Sequence, residues 1–365
     1  MAKQIYYDGK AADETGADYI ISIGERSNGK SFYRKNFSAL RPAWNKDRKF
    51  IYLRRWDLEI KSSLVESYFN DAQIELISGG AANGVRVRAG TIYATYTDED
   101  GNTKNIKPLG YARSLAAEQH YTSGNYDDVD TIIFEEFVSR DNYLPNEVMR
   151  LMHFVSTVAR RRKIKVYLIG NTISRVCPYF SEWGLRGVER QKAGTIDVYN
   201  YHTEQTDEDG NPVTVKIAVE YCANSGNNSK MFFGAKTNMI TSGVWETKEY
   251  PHLPDTEKHF ETLYTCYMQF NDFRFTLRFM RHFTSREVLW YITPKTTQIS
   301  DTARIITNHF STNPKQTSDF VPLIPAEKRI FGLLTTSACF SDNLTAQDFY
   351  TCLNAMRQAV RDKKV

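Results

Sequence analysis

The sequence predicts an α/β fold in which a mainly parallel sheet carries helices on its faces, followed by a smaller domain. Two observations predict it. Short apolar runs alternate with helical patterns over residues 1–185, and a glycine-bearing loop links the first run to the first helix. Strands that alternate with helices usually lie parallel in one sheet, because each helix carries the chain back across the sheet.

Strand and helix patterns follow one another through this first part of the chain. Apolar runs predict strands at 18–23, 49–54, 130–134 and 165–170. Helical spacing predicts helices that begin at Lys30 and that cover 62–71 and 146–162. The segment TDEDGN occurs at 97–102 and again at 206–211, between alternating strands each time, and predicts two independent hairpins.

The character of the chain changes after about residue 185. Residues 186–228 are polar and hairpin-like, which predicts a linker or hairpin subdomain. Residues 229–365 are rich in aromatic side chains and end in a helical pattern at 345–362. We therefore predict three parts: an α/β domain at 1–185, the linker at 186–228, and a C-terminal domain at 229–365.

The composition is that of a globular protein, with 41% apolar and 13% aromatic residues. No apolar run approaches the roughly 20 residues that span a bilayer, and the polar N-terminus lacks a signal-peptide core, so we expect an intracellular protein. The five cysteines are scattered without a C-x-x-C pair, which favours reduced thiols over a zinc site. A net charge of +4 allows nucleic-acid binding without requiring it.

The stretch GERSNGKS at 24–31 matches the whole G-x-x-x-x-G-K-[ST] pattern, with a predicted strand before it and a helix after it. In such a P-loop, backbone N–H groups and the helix N-terminus bind phosphate, the lysine reaches the β- and γ-phosphates, and the hydroxyl ligates Mg²⁺. A chance match in a loop is the alternative. The predicted nucleotide contacts are Gly24, Glu25, Arg26, Ser27, Asn28, Gly29, Lys30 and Ser31. No N-K-x-D signature for guanine is present, which favours ATP.

Two carboxylates, Glu135 and Glu136, end a predicted buried strand, where α/β sheets place their ligand sites. Hydrolysis requires one acid in the Mg²⁺ shell and another that orients or deprotonates water. Glu135 suits the metal and Glu136 the water, although the usual metal residue is aspartate. An ordinary pair of acids at an exposed strand end is the alternative.

Three other polar residues follow predicted elements. Asn171 ends a strand and could sense the γ-phosphate, or be a turn residue. Arg54, with the next two residues, could cover a nucleotide base or anchor the strand end. Arg160 opens a basic run that is either a solvated helix end or an arginine finger, which stabilises transition-state charge on a neighbouring subunit's nucleotide.

Several segments together resemble the DNA-packaging (encapsidation) ATPases of the small phi-29-like tailed phages. They are IGERSNGKS, FIYLRRW, TIIFEEF, NYLPNEVMRLMHFVSTVARRR, SRVCPYF and SGVW. The resemblance is strong over 18–182 and weak beyond. It implies an ASCE-type P-loop ATPase domain followed by an RNase H-like vestigial nuclease domain.

The same resemblance implies partners and roles. The protein would form a ring, expected to be a pentamer, in the host cytoplasm and dock transiently on a prohead. It would move double-stranded DNA inward, while the C-terminal domain attaches to prohead RNA and the portal. By motif position, Glu136 is the catalytic glutamate, Glu135 the metal-side acid and Arg160 the trans-acting finger, and Lys61 is a candidate DNA-backbone contact.

Two other function classes use the same loop. A nucleotide or small-molecule kinase would transfer the phosphoryl group to a second substrate, and a nucleotide-gated scaffold would not hydrolyse at all. Glu136 argues against the scaffold, because a switch does not require a second acid beside the metal. Hydrolysis stimulated by DNA would favour the motor over the kinase.

Overall fold

The computed structural model describes residues 7–25, 28–70, 72–122, 124–139, 143–160, 162–171, 177–185, 187–188, 191–206, 212–222, 249–271, 273–308 and 311–362. The chain divides into two compact units. The first comprises Met1–Ile173 with Leu185–Trp245, and the second comprises Ser174–Gly184 with Glu246–Val365.

The first unit is built on a nine-stranded sheet, in the order β3-β4-β5-β2-β6-β7-β1-β9-β8. The strands are β1 (Tyr19–Gly24), β2 (Lys49–Arg54), β3 (Gly84–Arg88), β4 (Thr91–Thr97), β5 (Thr103–Ser114), β6 (Val129–Glu135), β7 (Lys165–Asn171), β8 (Thr195–Thr206) and β9 (Pro212–Tyr221). The six central strands, from β5 to β9, pair in parallel. This confirms the predicted α/β fold with a mainly parallel sheet.

The helices of this unit are α1 (Lys10–Glu14), α2 (Lys30–Tyr33), α3 (Arg41–Asn45), α4 (Ser62–Tyr68), α5 (Ile74–Ser78) and α6 (Glu147–Ala159). The helices predicted from Lys30, at 62–71 and at 146–162 are present in this unit, and two short helices, α1 and α5, were not predicted. A π-helical segment, Arg34–Leu40, joins α2 to α3. Short 3₁₀ helices cover Asp57–Ile60 and Leu115–Tyr121.

Burial explains why these segments form strands and helices. The apolar side chains of β1, β2 and β6 have almost no exposed surface, and Ile20 and Ile133 pack in one core with Leu40 and Ala43. On α6, Leu151 is fully buried, whereas Met152 is 45% exposed because adjacent helical residues point about 100° apart. The apolar stripe of α6 therefore faces the protein and its other side faces solvent.

The two TDEDGN segments lie between antiparallel strands, as predicted. The first joins β4 to β5, and the backbone N–H of Asn102 donates to Asp98 Oδ1. Residues 207–211 of the second lie outside the described residues, and the flanking strands β8 and β9 pair antiparallel. The prediction of a separate linker at 186–228 was wrong for these strands. β9 pairs with β1 and its residues 217–219 are buried, so this hairpin completes the sheet.

The second unit is an α+β arrangement around a six-stranded sheet, in the order β14-β13-β10-β11-β12-β15. Its strands are β10 (Phe260–Phe270), β11 (Phe273–His282), β12 (Val288–Pro294), β13 (Ile305–Thr307), β14 (Gln316–Thr317) and β15 (Ala338–Phe340). The three strands β10, β11 and β12 pair antiparallel, and the others add in parallel.

The helices of the second unit are α7 (Pro178–Glu182), α8 (Pro325–Gly332) and α9 (Asn343–Asp362). A 3₁₀ turn covers Glu257–His259. The helix predicted at 345–362 is confirmed and begins two residues earlier. Trp290, Phe340 and Phe349 lie fully buried in this unit's core. In the described parts of the chain, no helix is both long and apolar enough to cross a membrane.

Candidate nucleotide-binding site

The carboxyl ends of four neighbouring parallel strands meet at one edge of the nine-stranded sheet. In the pairing of β1 with β7, Gly24 lies opposite Asn171. Glu135 ends β6, the strand on the other side of β7, and Arg54 ends β2 beside it. Open α/β sheets bind ligands outside the carboxyl ends of their strands. The sheet therefore gathers these four predicted site residues at its ligand-binding edge.

The loop that follows β1 depends on two glycines. A Cβ on Gly24 would lie 3.1 Å from Cys222 Cβ, so a larger residue would crowd the end of β9. Gly29 has a φ of +96° immediately before α2, a conformation that other residues adopt only with strain. Asn28 Oδ1 accepts from the backbone N–H of Lys30 at 3.2 Å. Arg26 and Ser27, also predicted contacts, lie outside the described residues.

Lys30 is held inside this loop. Its ammonium Nζ donates to the carbonyl oxygen of Glu25 at 2.6 Å and to Asn28 Oδ1 at 3.0 Å, and the side chain is buried. Burial lowers the pKa of Lys30 to about 8, against the opposing effect of nearby groups that include Glu135. The buried amide nitrogen of Asn28, Nδ2, has no hydrogen-bond partner among the described residues. A buried ammonium and an unsatisfied donor thus lie together at the start of α2.

Ser31 and Glu135, the two predicted metal ligands, are in contact. Ser31 Oγ donates to Glu135 Oε2 at 3.2 Å, and the hydroxyl of Tyr68 donates to Glu135 Oε1 at 2.7 Å. The Glu135 side chain is buried, and burial raises its pKa although these hydrogen bonds oppose the rise. The carboxylate is therefore fixed from two sides.

Glu136 projects from the same edge toward solvent. Its backbone is left-handed, with a φ of 56°, which is uncommon for a residue with a side chain. Arg54 Nη2 donates to Glu136 Oε2 at 2.8 Å and to Glu59 Oε1 at 2.7 Å. Arg54 thus contacts the carboxylate that was assigned to the attacking water.

A buried ion pair supports the backbone of Glu136. Arg55 donates to both carboxylate oxygens of Glu147, from Nε at 2.8 Å and from Nη2 at 2.9 Å. The same guanidinium donates to the carbonyl oxygens of Glu136 at 3.1 Å and Phe137 at 2.6 Å. Because Glu147 begins α6, this pair ties that helix to the ends of β2 and β6.

Two predicted residues are not at this cluster. Arg160 follows α6, where its Nη2 donates to the carbonyl oxygen of Gly124, and the nearby Arg162 contacts Val129 at the start of β6. Arg160 therefore lies at the amino edge of the sheet, about 20 Å from the carboxyl edge for a seven-residue strand. Lys61 is exposed immediately before α4.

Sequence reasoning missed Tyr68 and the pair of Arg55 with Glu147. Tyr68 lies inside the helix predicted at 62–71 and is the last residue of the observed α4, and nothing in its neighbourhood along the chain points toward Glu135. Arg55 was grouped with Arg54 at a strand end, and Glu147 was one charge at a helix start. The sequence held one signal for this pair, the acidic Glu147 in the first turn of α6. An acidic residue is favourable at any helix N-terminus, so this signal did not point to Arg55.

The residues at this edge fit a nucleotide phosphate with Mg²⁺. Lys30 and the unsatisfied amide of Asn28 supply donors for phosphate oxygens, beside the N-terminus of α2. Ser31 and Glu135 supply a hydroxyl and a carboxylate oxygen, the hard ligands that Mg²⁺ prefers. The donor set matches the group that the sequence pattern predicts.

A second polar cluster lies in the C-terminal unit. Asp255 Oδ2 is 2.6 Å from His259 Nδ1 and 3.3 Å from His282 Nε2. Hydrogen bonds from His259, the Thr256 backbone and His282 lower the pKa of Asp255 to about 2. His282 Nδ1 accepts the backbone N–H of Ser285, so its proton is on Nε2, which is then not free to ligate a metal. We assign no metal to this cluster.

Comparison with known proteins gives a consistent result. The model of the family described as Podovirus DNA encapsidation protein (Gp16) matches residues 1–192. The DNA packaging protein of Bacillus phage phi29 is 31% identical over 184 residues, which is 49% of this chain and 50% of that protein. The DNA packaging protein of Bacillus phage B103 is 35% identical over 167 residues, 45% of this chain and 47% of that protein. The chain thus spans about half the length of the curated relatives it matches.

A solved structure, the bacteriophage Phi-29 viral genome packaging motor assembly, contains a chain with a similar fold. The TM-score is 0.54 at 21% sequence identity, and the likeness covers 96% of this chain and 99% of that chain. At this identity the likeness concerns the fold, and it extends over both units described above.

Proposed function

From the premise that the chain belongs to the podovirus DNA encapsidation protein (Gp16) family, we propose that it is a genome-packaging ATPase. It hydrolyses ATP and uses the energy to move double-stranded DNA into a prohead. The observation that carries the proposal is the glycine loop with buried Lys30 beside the Ser31–Glu135 contact. The phage relatives are named DNA packaging proteins, which supports a role in DNA packaging for this chain.

Each residue of the edge has a role in hydrolysis. Lys30 and the loop N–H groups bind the phosphates, and Lys30 neutralises charge that develops on the γ-phosphoryl group. Glu136 orients the attacking water and takes its proton as the new oxygen–phosphorus bond forms and the bond to ADP breaks. Asn171, which lies opposite Gly24 at the end of β7, would sense whether the γ-phosphate is present.

Ser31 and Glu135 would hold Mg²⁺, which when bound neutralises phosphate charge. The protein contributes the fixed geometry of the two oxygen ligands. Arg54 contacts Glu136 and would hold its carboxylate while that group is not activating a water molecule. Arg54 would also lie against the edge of the bound nucleotide.

Arg160 would act on a neighbour's nucleotide, since its own lies across the sheet. This role requires a ring, which we propose to be a pentamer docked transiently on the prohead in the host cytoplasm. We propose that Lys61 contacts the DNA backbone. The C-terminal domain, proposed to be RNase H-like, would attach to prohead RNA and the portal without cutting DNA.

Nothing in the comparisons favours the kinase alternative. The proposal is tested by ATP binding and phosphate release from ATP by the wild-type protein and two variants. Lys30→Ala should lose tight ATP binding or turnover, because the phosphates lose their buried cation. Glu136→Gln should bind ATP and fail to release phosphate. Normal turnover by Lys30→Ala, or transfer of the phosphoryl group to an added small-molecule acceptor, would contradict the proposal.

A further inference from the structure

The acid at the end of β6 is a glutamate where P-loop ATPases use an aspartate for the metal. A glutamate has one more methylene and one more rotatable bond, so its carboxylate samples more positions than that of aspartate. A metal ligand works only when its oxygens are held in one place. Glu135 therefore requires a restraint that an aspartate would not.

Tyr68 supplies contacts of the required kind. Its hydroxyl donates to Oε1 of Glu135 at 2.7 Å, while Ser31 Oγ meets the other oxygen, Oε2. One carboxylate oxygen of Glu135 is thereby bonded to a residue of α4, and the other to Ser31 in the first turn of the P-loop helix.

Tyr68 is itself firmly held. Its ring lies 4.6 Å from that of Tyr52, centroid to centroid, and Lys35 Nζ lies 4.5 Å over the ring. Lys35 also donates to the backbone carbonyl oxygen of Tyr68 at 2.5 Å. Because Lys35 lies in the π-helical segment one turn after Ser31, the restraint and the loop belong to one packed group.

We propose that Tyr68 is a positioning residue for the metal, and that its hydroxyl allows a glutamate to serve at this position. The inference rests on the proposed function. It predicts an energetic coupling between the hydroxyl of Tyr68 and the length of the side chain at 135.

The test measures the affinity of the protein for Mn²⁺, which replaces Mg²⁺ because its binding is detected directly by electron paramagnetic resonance. The probe is Mn²⁺ with a non-hydrolysable ATP analogue on the full chain, so catalytic turnover is not needed. Tyr68→Phe should weaken Mn²⁺ binding about tenfold, within the range found for residues that orient metal ligands. Glu135→Asp alone should also weaken it, since the shorter side chain does not meet both Tyr68 and Ser31.

The decisive comparison is the double variant. Adding Tyr68→Phe to Glu135→Asp should change Mn²⁺ affinity less than twofold, because an aspartate there makes no use of the hydroxyl. Tyr264→Phe is the matched control. The Tyr264 hydroxyl also donates to a buried carboxylate, that of Glu327, but in the other unit. It should lower the melting temperature and leave Mn²⁺ affinity unchanged.

Three results would overturn the inference. They are unchanged Mn²⁺ affinity in Tyr68→Phe, an equal loss from Tyr68→Phe in both backgrounds, and a gain in affinity from Glu135→Asp alone. The third result, from Glu135→Asp alone, does not depend on whether Tyr68→Phe folds correctly. If the wild-type protein binds Mn²⁺ and the analogue but the variants give one of these three results, only the inference about Tyr68 is contradicted. Wild-type protein that binds neither Mn²⁺ nor the analogue contradicts the proposed function as well.

Discussion

Ser31 Oγ lies 3.2 Å from Glu135 Oε2, which brings together residues 104 positions apart in the chain. Ser31 is the second residue of the P-loop helix α2, and Glu135 ends β6, the strand two places from β1 in the sheet. A hydroxyl and a carboxylate in contact supply two of the oxygen ligands that a hard cation such as Mg²⁺ binds. The central proposals of function follow from this contact.

The first prediction concerns the hydroxyl of Ser31. Ser31→Ala should weaken Mg²⁺-dependent ATP binding by about tenfold or more, since one of two protein oxygens is lost. Ser31→Thr is the control, because it keeps the hydroxyl and satisfies the motif. Titration of a fluorescent ATP analogue with Mg²⁺ and with EDTA measures the effect. Equal Mg²⁺ dependence in Ser31→Ala and wild type would remove Ser31 from the metal site.

The second prediction concerns the buried pair of Arg55 and Glu147, whose side chains are 6% and 1% exposed. Glu147→Gln removes the buried carboxylate charge that pairs with Arg55, and should lower the free energy of unfolding by about 3–5 kcal/mol. Urea denaturation measures it. Glu14→Gln is the matched control, because its pair with Lys10 is exposed and should change stability by less than about 1 kcal/mol. A loss in Glu147→Gln as small as the control would show that the pair does not hold this edge together.

The third prediction concerns Arg160. Arg160→Ala should reduce hydrolysis by assembled protein on the order of 10³-fold, while Lys163→Ala, an exposed cation three residues on, should have little effect. Glu136→Gln keeps the arginine but does not hydrolyse, and Arg160→Ala keeps its own site. A mixture that exchanges subunits should therefore regain activity. If mixed rings stay inactive, Arg160 does not act on a neighbour's nucleotide, and its role at the end of α6 is limited to its contact with Gly124.

The fourth prediction concerns DNA. A motor that moves along any sequence should contact phosphates, so its affinity should fall steeply with salt and depend little on sequence. Lys61→Ala should reduce the slope of log affinity against log salt by about one, whereas Lys46→Ala, exposed after α3, should not. Fluorescence anisotropy on duplexes of different sequence measures both. An unchanged slope would exclude Lys61 as a phosphate contact.

The features that the sequence predicted are those encoded locally. The strand, loop and helix around 18–40 follow from apolar runs, glycines and spacing within a few residues, and the carboxylates at 135 and 136 follow from their place after a strand. What the sequence did not predict depends on distant contacts. Ser22 of β1 and Glu220 of β9 form a hydrogen bond although they are 198 residues apart, so nothing local in the sequence indicated that β8 and β9 join the sheet. The contacts of Tyr68 and of Arg55 arise only when separate elements pack together.

The most direct test of the account is ATP hydrolysis with and without double-stranded DNA, on protein whose oligomeric state is monitored. We expect slow hydrolysis by isolated subunits, and strong stimulation by duplex DNA of mixed sequence once rings form. Glu136→Gln should bind ATP and DNA without hydrolysing in either condition. Hydrolysis that is indifferent to DNA and to assembly, or that persists in Glu136→Gln, would contradict the claim that this chain is a DNA-translocating ATPase.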